Sequence, residues 1–520
     1  MLRSIAFGAL AFALAAQAPP PPSTRRDAGK ALGAPLAELY HGGSSFPPKG
    51  KLTGLALSGR PEVCKEVAGA AEVALPAVRL EGGGSVAGAY LAWAEGRVQG
   101  KAEPMDLERL GQMLWNAQGV SKELNYNGMT FGLRTAPSAG ALYPVDVYVA
   151  VRQVRGIEPG LYLYHPQRHV LLRLQSGDLS AQLAPACGDP EAVRSAPATV
   201  VLGCTFARTA FKYKVRAYRY VAMDTGHAAY QLALVAASLG YRAPMLARFD
   251  DGALNRLLEL DGTGEAAFLV MPLGPTAEGP SPRFVLEPGK GQGTFLDLIH
   301  GGSRLAAEPA TGSSLRHPAG AEAVPLRKGD LPLPAAAPGR GLYASIRERR
   351  SVREHTKAPM TLAELSALCL ASAGMPKAPT DPFLAATAPL GLYVAVRDVK
   401  GLKAGIYRYL PGTHALRPVK AGDSSQACME ACLGQGFCGT ADAVFIKTVR
   451  WADLAWPDGN RGYRYANLRA GLLGGGLYLQ GTALGLGVCG IGAFQDEALG
   501  RILGLEASAE VPLYVTAVGR

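Results

Sequence analysis

The chain repeats itself. Tyr148-Val149-Ala150-Val151-Arg152 and, 245 residues later, Tyr393-Val394-Ala395-Val396-Arg397 open the same passage; QVRGIEPGLYLYHP follows the first and DVKGLKAGIYRYLP the second. At the same offset Arg216-Ala217-Tyr218-Arg219-Tyr220 becomes Arg461-Gly462-Tyr463-Arg464-Tyr465, Gly226 becomes Gly471, and ALNRLLEL becomes ALGRILGL. Upstream, PMDLERLGQMLWNAQGV parallels PMTLAELSALCLASAGM. A register held over that length means a duplicated domain, and two copies at so long a period are not a solenoid.

Each copy reads as a helix from the PM segment, a strand at 145–151 or 392–396, and a strand at 198–203 or 443–447. A long small-residue helix follows at 220–239 or 465–484, and a last strand at 267–271 or 513–518. The class is α+β: a mixed or antiparallel sheet wrapped by helices, present twice. Residues 19–80 form an irregular lead-in, 81–274 the first domain and 339–520 the second. The Pro-, Gly-, Ala- and Ser-rich stretch 275–338 reads as a linker with one short helix at 294–299. With 520 residues and 48% apolar content each copy can bury its own core, and 18% charged residues exclude a disordered chain.

Residues 1–18, with Arg3, an apolar run from Ile5 to Ala16 and the small-residue end Ala16-Gln17-Ala18, have the pattern of a signal peptide. A periplasmic or secreted protein is expected, with an anchored or cytoplasmic one as the alternative. Three of the eight cysteines, Cys428, Cys432 and Cys438, lack a compact fourth ligand, and buried thiols are expected there. The net charge of +11 is dispersed rather than gathered on an aromatic-rich stripe, so nucleic acid is not an expected partner. The densest basic cluster, Arg347-Glu348-Arg349-Arg350-Ser351-Val352-Arg353, suits a phosphate instead.

Gly485-Leu486-Gly487-Val488-Cys489-Gly490 spells the dinucleotide fingerprint, but it follows a helix where that motif must follow a strand. A helix cap, or a loop whose glycines let backbone approach a planar ligand, fits better. Arg134-Thr135-Ala136-Pro137-Ser138-Ala139-Gly140 leads into a strand with small residues, and Lys212-Tyr213 precede the long helix. His227 reads as a core histidine.

Together RTAPSAGALYPVDVYV, FKYKVRAYRYVAMDTGHAAYQL, RERRSVREHT, ALGLGVCGIGAF and the lead-in LYHGGSSFPP resemble the nitroreductase superfamily, and within it the SagB/ThcOx-type dehydrogenases that oxidise azolines to azoles on peptides. The resemblance implies an FMN-binding fold that works as a dimer, each flavin lying at the interface. The arginine grip and glycine loop come from one subunit, the PSAG-type loop from its partner. Each copy here has lost what the other keeps. Where the second copy has RRSVR the first has Glu95-Gly96-Arg97-Val98, and for the glycine loop it has Arg242-Ala243-Pro244-Met245-Leu246-Ala247. The second copy replaces Pro137-Ser138-Ala139-Gly140 by Pro382-Phe383-Leu384-Ala385, and Lys212-Tyr213 by Pro457-Asp458.

The expectation is a fused pseudo-dimer, monomeric as a chain, with one FMN. Arg349, Arg350, Ser351 and Arg353 would hold its phosphate. Gly490, Ile491 and Gly492 would line its ring, with Pro137, Ser138, Ala139 and Gly140 approaching from the other half. Lys212 and Tyr213 would handle the proton while hydride passes to or from the flavin. The substrate would be a peptide or a small molecule, with NAD(P)H or another electron partner. A generic flavin-dependent nitroreductase and a non-catalytic flavin- or peptide-binding scaffold are the alternatives.

Overall fold

The computed structural model describes residues 35–47, 59–94, 103–126, 129–274, 283–287, 295–308, 325–356, 358–373, 389–454 and 458–520. The signal-peptide pattern, Glu95–Val98, Pro382–Ala385 and Pro457 lie outside these. Among the described residues no helix is long and apolar enough to cross a membrane.

The first copy builds a six-stranded sheet from β1 (Ala71–Ala74), β2 (Val145–Val151), β3 (Gly160–His165), β4 (Val170–Ser176), β5 (Ala198–Thr205) and β6 (Glu265–Leu273), in the order 1-4-3-2-5-6. The second builds seven strands, β7 (Leu331–Pro332), β8 (Leu390–Val396), β9 (Gly405–Leu410), β10 (Ala415–Ala421), β11 (Ala443–Arg450), β12 (Gly487–Ile491) and β13 (Glu510–Gly519), in the order 7-10-9-8-11-13-12. All pairings within both sheets are antiparallel. Central strands such as VDVYVAV are buried on both faces, which is why they read as continuous β-branched and aromatic runs rather than alternating ones. The internal register is duplicated too: Leu202 faces Leu269 across β5 and β6 as Lys447 faces Tyr514 across β11 and β13. The edge strand β12 has no counterpart in the first copy, where 242–246 makes only isolated bridges to Gly274 and Val270.

The helices that matter for the site are α1 (Pro35–Gly43), α2 (Phe206–Tyr213), α3 (Ala217–Ser238), α4 (Phe295–Gly301), α5 (Leu342–Glu348) and α6 (Arg461–Ala483). The long helices α3 and α6, rich in Ala, Gly and Leu, are buried nearly all round, as helices without a polar face must be. They cross each other backbone to backbone. A Cβ on Gly226 would strike the Leu468 carbonyl, and one on Gly471 the Met223 carbonyl.

The ends of this helix pair are pinned by two matching clusters. Arg216 and Arg219 at the start of α3 hold Asp496 of the second copy, at 2.7 and 2.6 Å. Arg464, at 2.9 Å, and Arg461 at the start of α6 hold Asp251 of the first. Ser44 Oγ, just after α1, accepts from Arg219, and Ser303 Oγ, after α4, accepts from Arg464. Both belong to an His-Gly-Gly-Ser motif, at 41–44 and 300–303. The duplication therefore continues into the stretch expected to be a linker. In its described parts, 275–338 supplies a buried helix, a two-stranded ribbon (Arg283–Leu286 with Leu305–Glu308) and β7. The expectation missed this because the His-Gly-Gly-Ser copies stand at a different spacing from the rest of the repeat.

Candidate functional site

The loop before β2 is held in a demanding shape. Gly140, Ala141 and Tyr143 have φ of 63, 52 and 44°, costly for the two that carry a Cβ. Asp224 on α3 over-determines it: Ser138 Oγ donates to its carboxylate at 2.5 Å and the Ala139 N–H at 3.2 Å, while Ser138 Oγ accepts from the Tyr143 N–H. Pro137 beside them is buried.

The second copy reaches over this loop. Arg349, buried after α5, donates through Nε and Nη2 to the carbonyls of Thr135 and Arg134, at 2.6 and 3.1 Å. Arg350 donates to Ser121 Oγ at 3.1 Å, again across the boundary. Ser351 Oγ lies 2.9 Å from the Tyr478 hydroxyl, which accepts from the Gly490 N–H at 2.6 Å. Arg353 is exposed, its guanidinium over the Phe437 ring.

Lys212 and Tyr213 end α2 on the opposite wall. A Cβ on Gly140 would sit 3.1 Å from Tyr213 Oη and 3.5 Å from Lys212 Cδ, so the loop and the Lys-Tyr pair touch. Burial lowers the Lys212 pKa, and Arg353 from the other half lowers it further. The Tyr213 ring meets Tyr220 edge-on at 4.5 Å, and the Tyr220 ring abuts Gly492, where a Cβ would collide with it. The Gly490 backbone is likewise covered by the Tyr514 hydroxyl. Ile491, between them, turns its side chain into the apolar cluster on the far face of the sheet, leaving its backbone to the cleft side. The thirteen residues singled out in the sequence thus lie in one region where the two halves meet.

Behind these residues lies a polar group of which the sequence reading noted only His227, as a core histidine, and it is buried. His227 Nε2 is 3.2 Å from the Tyr514 hydroxyl, and its Nδ1 is 3.8 Å from Asp224. Gly474 makes room for both rings. Among the described residues Lys447, wholly buried, has no hydrogen-bond partner for its ammonium, nor has Thr516 for its hydroxyl. Burial pulls the Lys447 pKa down to about 7.

At the mirror-related pole the same positions are filled differently. Leu202, Leu269, Met271, Leu472 and Ala233 stand where Lys447, Tyr514, Thr516, His227 and Tyr478 stand. Asp458, in the place of Tyr213, is buried in a fork with Arg248 at 2.8 Å and accepts from Tyr465 at 2.7 Å, with Phe284 over the guanidinium. One pole is polar and half open; the other is packed shut. Comparing the two copies position by position, rather than motif by motif, would have found Lys447, Tyr514 and His227.

Gly485, at φ 72°, ends α6, and the glycines after it enter the edge strand β12, so no helix opens on the fingerprint. All eight cysteines are buried free thiols, and no metal-holding cluster occurs among the described residues.

The donor set suits an anionic, planar cofactor. Arg353, Lys212 and the Ser351 hydroxyl stand near the Gly140 loop and Gly490, and buried Lys447 and Thr516 lack partners among the described residues. A flavin mononucleotide meets both requirements.

Comparison with known proteins agrees with the duplication. The Nitroreductase family pattern matches residues 101–275 and again 346–520. The Methanocaldococcus jannaschii protein called "Putative nitroreductase MJ1384" is 35% identical over 173 residues, 33% of this chain and 82% of that protein. The microcin B17-processing protein McbC of Escherichia coli is 28% identical over 142 residues, 26% of this chain; the match spans only about half, 52%, of McbC. A crystal structure from Anabaena variabilis titled "putative nitroreductase" superposes with a TM-score of 0.75 at 27% identity, covering 93% of this chain and 99% of that one, so it carries the tandem architecture as a whole. The chain belongs to the nitroreductase family and is a flavin oxidoreductase of that family, built as two fused copies.

Proposed function

We propose that the protein is an FMN-dependent dehydrogenase with a single composite flavin site, acting on an azoline-containing peptide in the manner of SagB-type enzymes. The observation that carries the single site is the asymmetry of the poles: the cleft at Lys212, Gly140, Ser351 and Arg353 is polar and partly open, while its mirror image is closed by Arg248, Asp458 and Phe284. Ser351, Arg353 and Arg350 would take the phosphate, with Arg349 tying that grip to the opposite loop. The bound flavin supplies the two-electron chemistry. Lys212, its charged form disfavoured by burial and by Arg353, would take the proton released as the substrate is oxidised, and Tyr213 would position it. The peptide class is supported by the similarity to McbC together with the adjacent Lys212-Tyr213 pair.

A second reading, reduction of a small molecule with NAD(P)H, is favoured by the higher identity to the Methanocaldococcus jannaschii protein. Anaerobic mixing separates the two. Bleaching of the visible flavin band by a thiazoline- or oxazoline-containing peptide, with no response to NAD(P)H, is the expected result. Bleaching by NAD(P)H alone would replace the peptide reading with the reductase one.

A further inference from the structure

One pole of the molecule carries a polar cluster that the fold does not require. Lys447 and Tyr514 face each other across β11 and β13, and the equivalent pair is Leu202 and Leu269. Thr516, His227 and Tyr478 answer to Met271, Leu472 and Ala233. The same architecture is therefore filled with hydrocarbon at the far pole, and the polar set at this one serves something other than packing.

Lys447 is its extreme member. Tyr514 and Thr516 from β13 flank it, His227 from α3 is near it, and Tyr478 from α6 and Arg349 lie beyond His227. None is an acid. Asp224, the carboxylate beside His227, is already engaged by Ser138, Ala139 and His227. An amine buried without a counter-charge is unfavourable when protonated, and it becomes favourable only when a negative charge arrives beside it. Tyr514 links it to the cleft, its ring 5.6 Å from Lys447 Nζ and its hydroxyl against Gly490.

We propose that Lys447 is the counter-ion of the reduced flavin: neutral while the ring is oxidised, it takes a proton from solvent when the ring is reduced and gains negative charge. This rests on the single-flavin reading. The balance is simple. Hydride delivery to the ring adds two electrons and one proton, leaving one negative charge, and the second proton resides on Lys447 Nζ. Burial lowers the pKa of His227 and raises that of Tyr514 well above its usual value, so both shifts run away from the range tested.

The test is the midpoint potential of the FMN-loaded full chain, followed spectroscopically from about pH 7.5 to 9.5. For a two-electron couple each proton taken up contributes about 30 mV per pH unit. The expected slope is about 60 mV per pH unit for the wild type. It falls to about 30 for Lys447→Leu, which installs the residue of the mirror position, and the potential of that variant is lower. Lys447→Arg, permanently charged, should also give about 30, at a potential above that of the leucine variant. A wild-type slope near 30, or a variant slope equal to a wild-type slope near 60, overturns the proposal alone. Should the leucine variant lose its flavin, the arginine variant still decides. A wild-type chain that binds no flavin overturns the single-flavin reading, and this proposal with it.

Discussion

Replacing Asp251 by alanine is expected to lower the unfolding free energy by about 3–5 kcal/mol, because it strands the Arg461 and Arg464 guanidiniums in the interior without a partner. Asp496→Ala should do the same to Arg216 and Arg219. Each carboxylate comes from one half and its arginines from the other, so the loss falls on the contact between halves rather than on either sheet. The pH dependence has a defined sign. Burial alone would raise the Asp496 pKa, but Arg216, Arg219 and His41 outweigh it and hold it well below the usual carboxylate range. The stabilisation is therefore complete above the ordinary aspartate pKa near 4 and is lost as the pH falls below it. Urea unfolding at neutral and acidic pH checks both points. A loss under about 1 kcal/mol for either alanine variant would mean that the clusters do not hold the halves together.

Lys212→Ala is expected to leave flavin bound but slow substrate-driven flavin reduction by about 10²- to 10⁴-fold, the usual range for a lost general base. In the wild type the rate should rise with pH as Lys212 loses its proton, with a midpoint below the ordinary lysine value, because burial and Arg353 both disfavour the charged amine. The alanine variant should lose that rise. Tyr213 touches Gly140 as Lys212 does, but its own pKa is raised by burial, so it is suited to donating a hydrogen bond rather than to accepting the proton. Rapid-mixing spectra at several pH values read both effects. Reduction by Lys212→Ala at the wild-type rate and with the same pH profile would remove lysine from the chemistry.

Much of this was legible in the sequence for a physical reason. Duplicated strands and helices must solve the same packing problem twice, so their apolar patterns recur in register, and β2, β5, α3 and their repeats fall where the periodicity places them. The proposed site could be assembled from motifs because Ser138, Gly140, Ser351 and Gly490 stand in short local strings that the sequence shows directly. The buried group behind it was not legible that way. Lys447, Tyr514 and His227 are single residues within apolar runs, brought together only by strand pairing and helix crossing. Helix α4 was read as part of a linker because its value lies in a long-range partnership, His300 and Ser303 against Arg464, and not in any periodicity of its own.

The central claim is that two copies of one fold make one working site. Releasing the flavin from the purified, FMN-saturated chain and counting it against protein tests that most directly. One flavin per chain is the predicted result, and two per chain, one at each pole, would contradict it.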